Sequence, residues 1–245
     1  MAYILDLSGR TALVAGGSSG IGLGIARALK SAGADVHITG TRQSLSDYGE
    51  GEIRAGLTYH SLDVTHDAAV SALADKFEVL DILVSSVGSV AYSKAEYEID
   101  IFRDIMNVNL NGVMHLCTCF KDTLARAEDG SVLLLGSTSS FVATPGQPAY
   151  SASKGALRTL TKSLAHAWAR NGIRVNGLAP GFVETKLTKR SRDNDDVYQQ
   201  SLKRIPLRRW GVPEEMGQVA LFLVSPMSSY VTGQMLLADG GITLM

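Results

Sequence analysis

The chain has 245 residues, room for one large domain or two small ones at roughly 150 residues per domain. Its 23 Lys and Arg against 24 Asp and Glu leave a net charge of −1, so a broad basic footprint for nucleic acid or an anionic membrane is excluded. With 45% hydrophobic and 19% charged residues the chain has apolar area for a large core, which excludes global disorder.

Met1–Arg10 carries Asp6 and no apolar run long enough for a signal peptide, and no stretch reaches about 18 uninterrupted apolar residues. A cytoplasmic protein is expected. Short β-branched or leucine-rich runs follow at Thr11–Ala15, Val36–Thr39, Leu57–Leu62, Ile82–Ser85, Ser131–Leu135, Arg174–Leu178 and Gln234–Ala238. Between them the helical period predicts helices over Gly20–Ser31, Asp67–Phe77, Ile101–Ala127, Ala149–Arg170 and Glu214–Val224. Strands as uniformly apolar as Ser131–Leu135 belong to parallel sheets covered on both faces. The β-α-β order predicts a Rossmann-like α/β fold: a doubly wound parallel sheet of about seven strands with helices on both faces. No linker or repeat interrupts it, so one domain is expected over residues 1–245. The rhythm breaks at Glu184–Arg209, a polar insertion after Pro180-Gly181 at the carboxyl end of a late strand. Loops there border the ligand crevice, so this segment is read as a substrate lid.

The first strand runs into Gly16-Gly17-Ser18-Ser19-Gly20-Ile21-Gly22 and then a helix. Glycines at such a joint permit a tight turn and let backbone N–H groups reach a pyrophosphate at the positive end of the helix. Gly16, Ser18, Ser19, Gly20, Ile21 and Gly22 are therefore candidate cofactor contacts; no Lys-Ser/Thr follows the last glycine, which excludes a Walker loop. In Tyr150-Ser-Ala-Ser-Lys154 the helix puts Tyr150 and Lys154 on one face at i and i+4. A phenol with a reference pKa of about 10 is a poor base near neutrality, and a neighbouring cation lowers that value, making Tyr150 a candidate general acid/base. Thirteen residues earlier Ser137 offers a hydroxyl at the end of the Ser131–Leu135 strand, and Asn109 lies within Asn107-Val-Asn-Leu-Asn-Gly112.

With these motifs in this order, from Leu7 to Gly241, the chain resembles the short-chain dehydrogenase/reductases, whose signatures are T-G-x3-G-x-G and Y-x3-K. The resemblance implies hydride transfer between a nicotinamide cofactor and a secondary alcohol or its ketone. It implies that Ser137 holds the substrate oxygen and Tyr150 exchanges its proton. Lys154 would lower the phenol pKa and bond the nicotinamide ribose, while Asn109 supports a relay water. It further implies that Asp63, with Val64, contacts the adenine, and that Pro180, Gly181, Val183 and Thr185 meet the nicotinamide carboxamide. Ser139 and Phe182 are expected beside Ser137 at the substrate. A homotetramer built from Ile101–Ala127 and Gln234–Met245 is also implied.

Two departures stand out. Ala15 replaces the family's threonine before the first glycine, losing a hydroxyl that ties the loop down. Ser85-Ser86-Val87-Gly88 replaces N-N-A-G, so Ser86 and Gly88 are expected to keep the turn while Val87 adds bulk near the adenosine ribose. At the end of the second strand Gly40 stands where an acid would accept the ribose hydroxyls and repel a 2′-phosphate; Thr41 and Arg42 follow, and the nearest acid is Asp47. NADP(H) is therefore expected over NAD(H), against which Ser19 is not the basic residue that NADP-users often carry.

The five histidines show no metal-ligand spacing, and Cys117 and Cys119, about 200° apart on a helix, read as small apolar residues, so no metal is expected. Within the favoured reading, a 3-oxoacyl thioester on an acidic carrier is the alternative substrate, with Lys186, Lys189, Arg190 and Arg192 as its basic patch. A nucleotide-sugar epimerase would need a further substrate domain. A non-catalytic dinucleotide sensor would be expected to lose Tyr150 or Lys154, and both are present.

Overall fold

Seven parallel strands form one sheet in the order β3-β2-β1-β4-β5-β6-β7 in the computed structural model, which describes residues 5–49 and 55–244. The strands are β1 (Thr11–Ala15), β2 (Asp35–Gly40), β3 (Thr58–Ser61), β4 (Ile82–Ser85), β5 (Gly130–Leu135), β6 (Ile173–Pro180) and β7 (Met235–Ala238). Of the expected segments, the first four residues of Met1–Arg10 and the last of Gln234–Met245 lie outside the described residues.

The two-residue period of the strands divides the core. Leu13 and Ala15, Leu83, and Val132 and Leu134 point to one face, where they meet α2 (Asp67–Ala74), α4 (Gly112–Ala125) and α5 (Pro148–Trp168). Ala12 and Val14, Ile82 and Val84, and Leu133 and Leu135 point to the other, against α1 (Gly20–Ser31) and α8 (Pro213–Val224). Both faces are thus covered, which explains why the strands lack an apolar-polar alternation. This is the Rossmann-like doubly wound architecture.

Two elements differ from the sequence reading. The single helix expected over Ile101–Ala127 is α3 (Ile99–Met106) and α4, joined by a wide π turn over Asn107–Asn111 that carries Asn109. The apolar period runs through this turn unbroken, so hydrophobic spacing alone does not reveal it. The insertion 184–209 holds α6 (Lys189–Arg192) and α7 (Asp195–Arg204). The side chain of Asn194 caps α7 by accepting the Val197 N–H at 3.1 Å, with Asp195 and Asp196 in the first turn and Lys203 and Arg204 in the last, each sign matching the helix dipole. Among the described residues no helix is long and apolar enough to cross a membrane.

Candidate active site

The strand order reverses at β1, whose neighbours are β2 and β4, and a cleft opens at the carboxyl ends of these strands. Its volume is about 740 Å³, in the range of small-molecule and cofactor sites. Gly16, Ser18, Ser19, Gly20 and Ile21 line it, as do Thr41, Asp63, Val64, Ser86 and Gly88. Ser137, Tyr150, Lys154, Pro180, Gly181, Val183 and Thr185 complete the set of expected residues that the fold brings to one wall.

Five expected residues lie off that surface. Asn109 is fully buried behind it. Gly22 packs beneath the turn, where an added Cβ would come within 2.3 Å of the Gly16 carbonyl oxygen. Ser139, expected at the substrate, is engaged by Thr144 at 2.8 Å and gives its N–H to the Ser137 oxygen at 3.2 Å. Phe182, also expected at the substrate, stacks on the buried Trp210 with ring centroids 5.0 Å apart. Arg42 points away, its guanidinium on the Asp47 carbonyl and 4.7 Å above the Tyr48 ring.

The glycine turn needs its glycines at particular points. Gly16 has φ +77°, and a Cβ there would lie 2.9 Å from the Ser86 carbonyl oxygen, so the β1 and β4 loops approach backbone to backbone. The hydroxyl that Ala15 lacks comes from elsewhere. Buried Thr39, at the end of β2, accepts the Gly16 N–H at 3.1 Å and ties the loop down from the next strand. Val87 lines the cleft and packs partly on the core, while the Ser86 N–H bonds the Ala15 carbonyl at 2.8 Å. We expect Gly22→Ala to destabilise the fold by about 1–3 kcal/mol, as overpacking against backbone does, and to weaken dinucleotide binding. Thermal unfolding and cofactor titration check both effects.

The candidate proton-handling residues converge in the cleft. Ser137, Tyr150 and Lys154 all line the cleft, and Lys154 Nζ lies 5.7 Å from the Tyr150 ring centroid. Lys154 is 3% exposed, donates to the Leu135 carbonyl at 2.7 Å, and faces the open position above Gly88, where a Cβ would lie 3.6 Å from Nζ. Burial pushes this ammonium down to about 8 from 10.5. The sequence reading has Lys154 lowering the phenol. In the structure burial raises the Tyr150 pKa, the Ser137 hydroxyl works against that rise, and Tyr92 and Glu96 add to it. The Asn109 amide gives its two hydrogens to the Ser89 carbonyl at 2.9 Å and Ser153 at 3.1 Å, and its oxygen accepts the Ser89 N–H at 2.7 Å. The π turn is what aims this side chain at the β4 loop.

At the adenosine end the structure adds Tyr48, which the sequence reading misses. It closes a short 3₁₀ turn begun by a capping box, with the Asp47 carboxylate accepting the Ser44 N–H at 2.9 Å. That Ser-x-x-Asp spacing is the signal that could have found the turn. The Tyr48 hydroxyl lines the cleft, accepts the Arg42 N–H at 3.1 Å, and bonds the Ser18 and Tyr59 side chains. Burial raises its pKa, but these hydrogen bonds outweigh burial and leave it lowered.

The insertion returns to its starting point. Glu184 N–H bonds the Gly211 carbonyl at 3.0 Å and Gly211 N–H bonds the Phe182 carbonyl at 2.9 Å, closing its base. Lys186, Leu187 and Thr188 line the cleft, and Tyr92 on the opposite loop donates to the Leu187 carbonyl at 2.8 Å. Two of the four basic side chains assigned to a patch are paired, Lys189 with Asp193 at 2.5 Å and Arg192 with Glu184 at 3.2 Å.

A glycine turn at the switch point, with a Ser-Tyr-Lys group at its centre, defines a dinucleotide-dependent oxidoreductase site. A family described as enoyl-(acyl carrier protein) reductase matches residues 15–243. The chain is 40% identical to a 2-dehydro-3-deoxy-D-gluconate 5-dehydrogenase of Bacillus subtilis, covering 98% of each chain. It is 37% identical to a 3-oxoacyl-(acyl-carrier-protein) reductase of Chlamydia pneumoniae, over 98% of this chain and 99% of the relative. Among solved structures, a gluconate 5-dehydrogenase from Burkholderia cenocepacia in complex with NADP and tartrate superposes with a TM-score of 0.90 at 35% identity, covering 99% of this chain and 98% of that one. The chain belongs to the short-chain dehydrogenase/reductase family, nicotinamide-dependent oxidoreductases acting on CH–OH groups.

Proposed function

We propose that the protein interconverts a small polyhydroxylated secondary alcohol, of the polyol or sugar-acid class, with its ketone, using Tyr150 as general acid/base. The observation that carries this reading is the convergence of Ser137, Tyr150 and buried Lys154 on one cleft, with Lys154 Nζ 5.7 Å from the Tyr150 ring centroid. The chemistry a nicotinamide cofactor would supply in this cleft is hydride transfer. Ser137 orients the substrate oxygen, its own hydroxyl fixed by the Ser139 N–H. Tyr150 gives a proton to that oxygen in reduction and takes it back in oxidation. Lys154, beside Gly88 in the cleft lining, would hold the nicotinamide ribose, and Asn109 holds the Gly88-Ser89 loop against α5 through Ser89 and Ser153. The residues fit a dinucleotide on two structural grounds: Gly16 brings two loops together where a Cβ would collide, and Lys154, though buried, reaches the cleft lining.

Support for the sugar-acid or polyol class comes from relatives of that kind and from the mouth of the cleft. Ser89 and Ser137 are polar residues of the cleft lining, while Lys189 and Arg192 are neutralised by their own acids. An acidic carrier protein therefore meets a diluted patch. The insertion 184–209 is read as the lid, latched through Tyr92. Oxidation of gluconate, related sugar acids and polyols, against reduction of 3-oxoacyl thioesters, tests the assignment. Turnover of thioesters alone would replace it.

NADP(H) remains the proposed cofactor, because Gly40 offers no carboxylate to a 2′-phosphate. Arg42 is exposed and engaged with Asp47 and Tyr48, so its share is smaller than a buried charged hydrogen bond. Arg42→Ala is expected to weaken NADP(H) by roughly 1 kcal/mol and to leave NAD(H) nearly unchanged. Titration of both cofactors into wild type and variant reads this directly; equal losses would move the contact to Thr41 and Tyr48. A homotetramer belongs to the same reading, with Met114 on α4 and Leu236 on β7 among the exposed apolar side chains it would cover.

A further inference from the structure

Glu96 is 0% exposed, and none of the roles above uses it. It sits in the short 3₁₀ turn Ala95–Tyr97, delivered by two residues in the left-handed region, Ser93 at φ 60° and Lys94 at φ 62°. Non-glycine residues rarely adopt that backbone, so the turn is held by its surroundings. One carboxylate oxygen accepts the Ala91 N–H at 3.0 Å, and the other accepts the N–H of Tyr150 itself at 2.9 Å. Tyr150 is the third residue of α5, so its N–H is among the orphan donors at the helix start. A second tie runs in parallel, from the Tyr97 hydroxyl to the Pro145 carbonyl at 2.7 Å.

We propose that Glu96 is a positioning residue for catalysis, one carboxylate that fixes the catalytic tyrosine and the cleft loop 88–92 to each other. This rests on the reading of Tyr150 as the acid/base. Both carboxyl oxygens accept backbone N–H groups, and the positive end of α5 favours a negative charge there. Asn109 grips the same loop two residues earlier through Ser89, so the loop is held from behind by an amide and from the side by a carboxylate.

The charged and titratable groups around the phenol come from three elements. Lys154 lies one turn along α5, Tyr92 comes from the facing loop with Arg190 5.5 Å above its ring, and Glu96 comes from the turn. Glu96 opposes ionisation of Tyr150, in the same direction as burial and Tyr92. Removing its charge therefore favours the phenolate, so the phenol should titrate at lower pH.

The test separates charge from geometry. Glu96→Gln removes the charge and turns an amide N–H toward one of the two backbone donors. Glu96→Asp keeps the charge and shortens the reach. The phenol is read without substrate by the tyrosinate absorbance of each protein over pH, minus that of the same protein carrying Tyr150→Phe. Turnover is read separately with the fastest alcohol of the panel. Glu96→Gln is expected to move the Tyr150 titration, and the acidic limb of the oxidation profile, to lower pH. Glu96→Asp should leave the titration in place and lose turnover by up to about 10²-fold, the scale of a misplaced catalytic group, with cofactor affinity retained. A folded Glu96→Gln with wild-type titration and turnover overturns the proposal, as does a loss of thermal stability alone in both variants. If Tyr150→Phe alone keeps full turnover, the acid/base reading falls and this proposal with it; if Tyr150→Phe is inactive while both Glu96 variants match wild type, only the role of Glu96 is lost.

Discussion

Tyr150→Phe is expected to bind the nicotinamide cofactor as wild type does and to lose about 10²–10⁴-fold in turnover, the usual value of a general acid/base. The substitution keeps the ring that packs beside Lys154 and deletes only the hydroxyl. Because the Tyr150 backbone N–H is held by Glu96, the helix start does not depend on the phenol oxygen, and the variant should fold. Retained turnover in the purified variant would remove Tyr150 from the chemistry.

Lys154→Met carries the second large effect, and it has two parts. Deleting the ammonium removes the cation beside the phenol and the proposed ribose contact, so turnover and cofactor affinity should both fall. The stability effect follows from burial, which holds this lysine at about 8 where the unfolded chain has 10.5. Between those values the unfolded chain binds a proton that the folded chain has released, so wild-type stability rises with pH through this window, by about 3 kcal/mol in all. Below about 8 the buried charge is retained at a cost. Lys154→Met should lack this rise. Denaturant midpoints measured across the window, without added cofactor, check the sign, and a parallel pH dependence in both proteins would show that Lys154 is not held as described.

Strand runs such as Ser131–Leu135 made the parallel sheet legible, because burial on both faces leaves a continuous apolar signal. The glycine turn and the Tyr150–Lys154 pair were legible because their chemistry fixes their spacing. What the sequence concealed depends on contacts between distant segments. Thr39 supplies the hydroxyl missing at Ala15 from 23 residues beyond the glycine it binds, a substitution across strands that no local motif records. Glu96 reads as one acid in a polar stretch until its 54-residue reach to Tyr150 is known. Phe182 lies within the Pro180–Thr185 segment read as bordering the cofactor and substrate, yet its ring stacks on Trp210, a contact between distant residues that local sequence does not record. The i, i+4 spacing announces the cation beside Tyr150, whereas the burial that raises the phenol pKa arises from the whole surrounding fold and leaves no mark in local spacing.

The most direct test of the central claim is to follow reduced nicotinamide while the protein is given NADP⁺ or NAD⁺ with a panel of sugar acids and polyols, wild type beside Tyr150→Phe. Cofactor reduction by a secondary alcohol in wild type, fastest with NADP⁺ and lost in the variant at unchanged cofactor affinity, is the result expected. Cofactor binding with no turnover of any alcohol, ketone or 3-oxoacyl thioester would contradict the account and leave a dinucleotide sensor in its place.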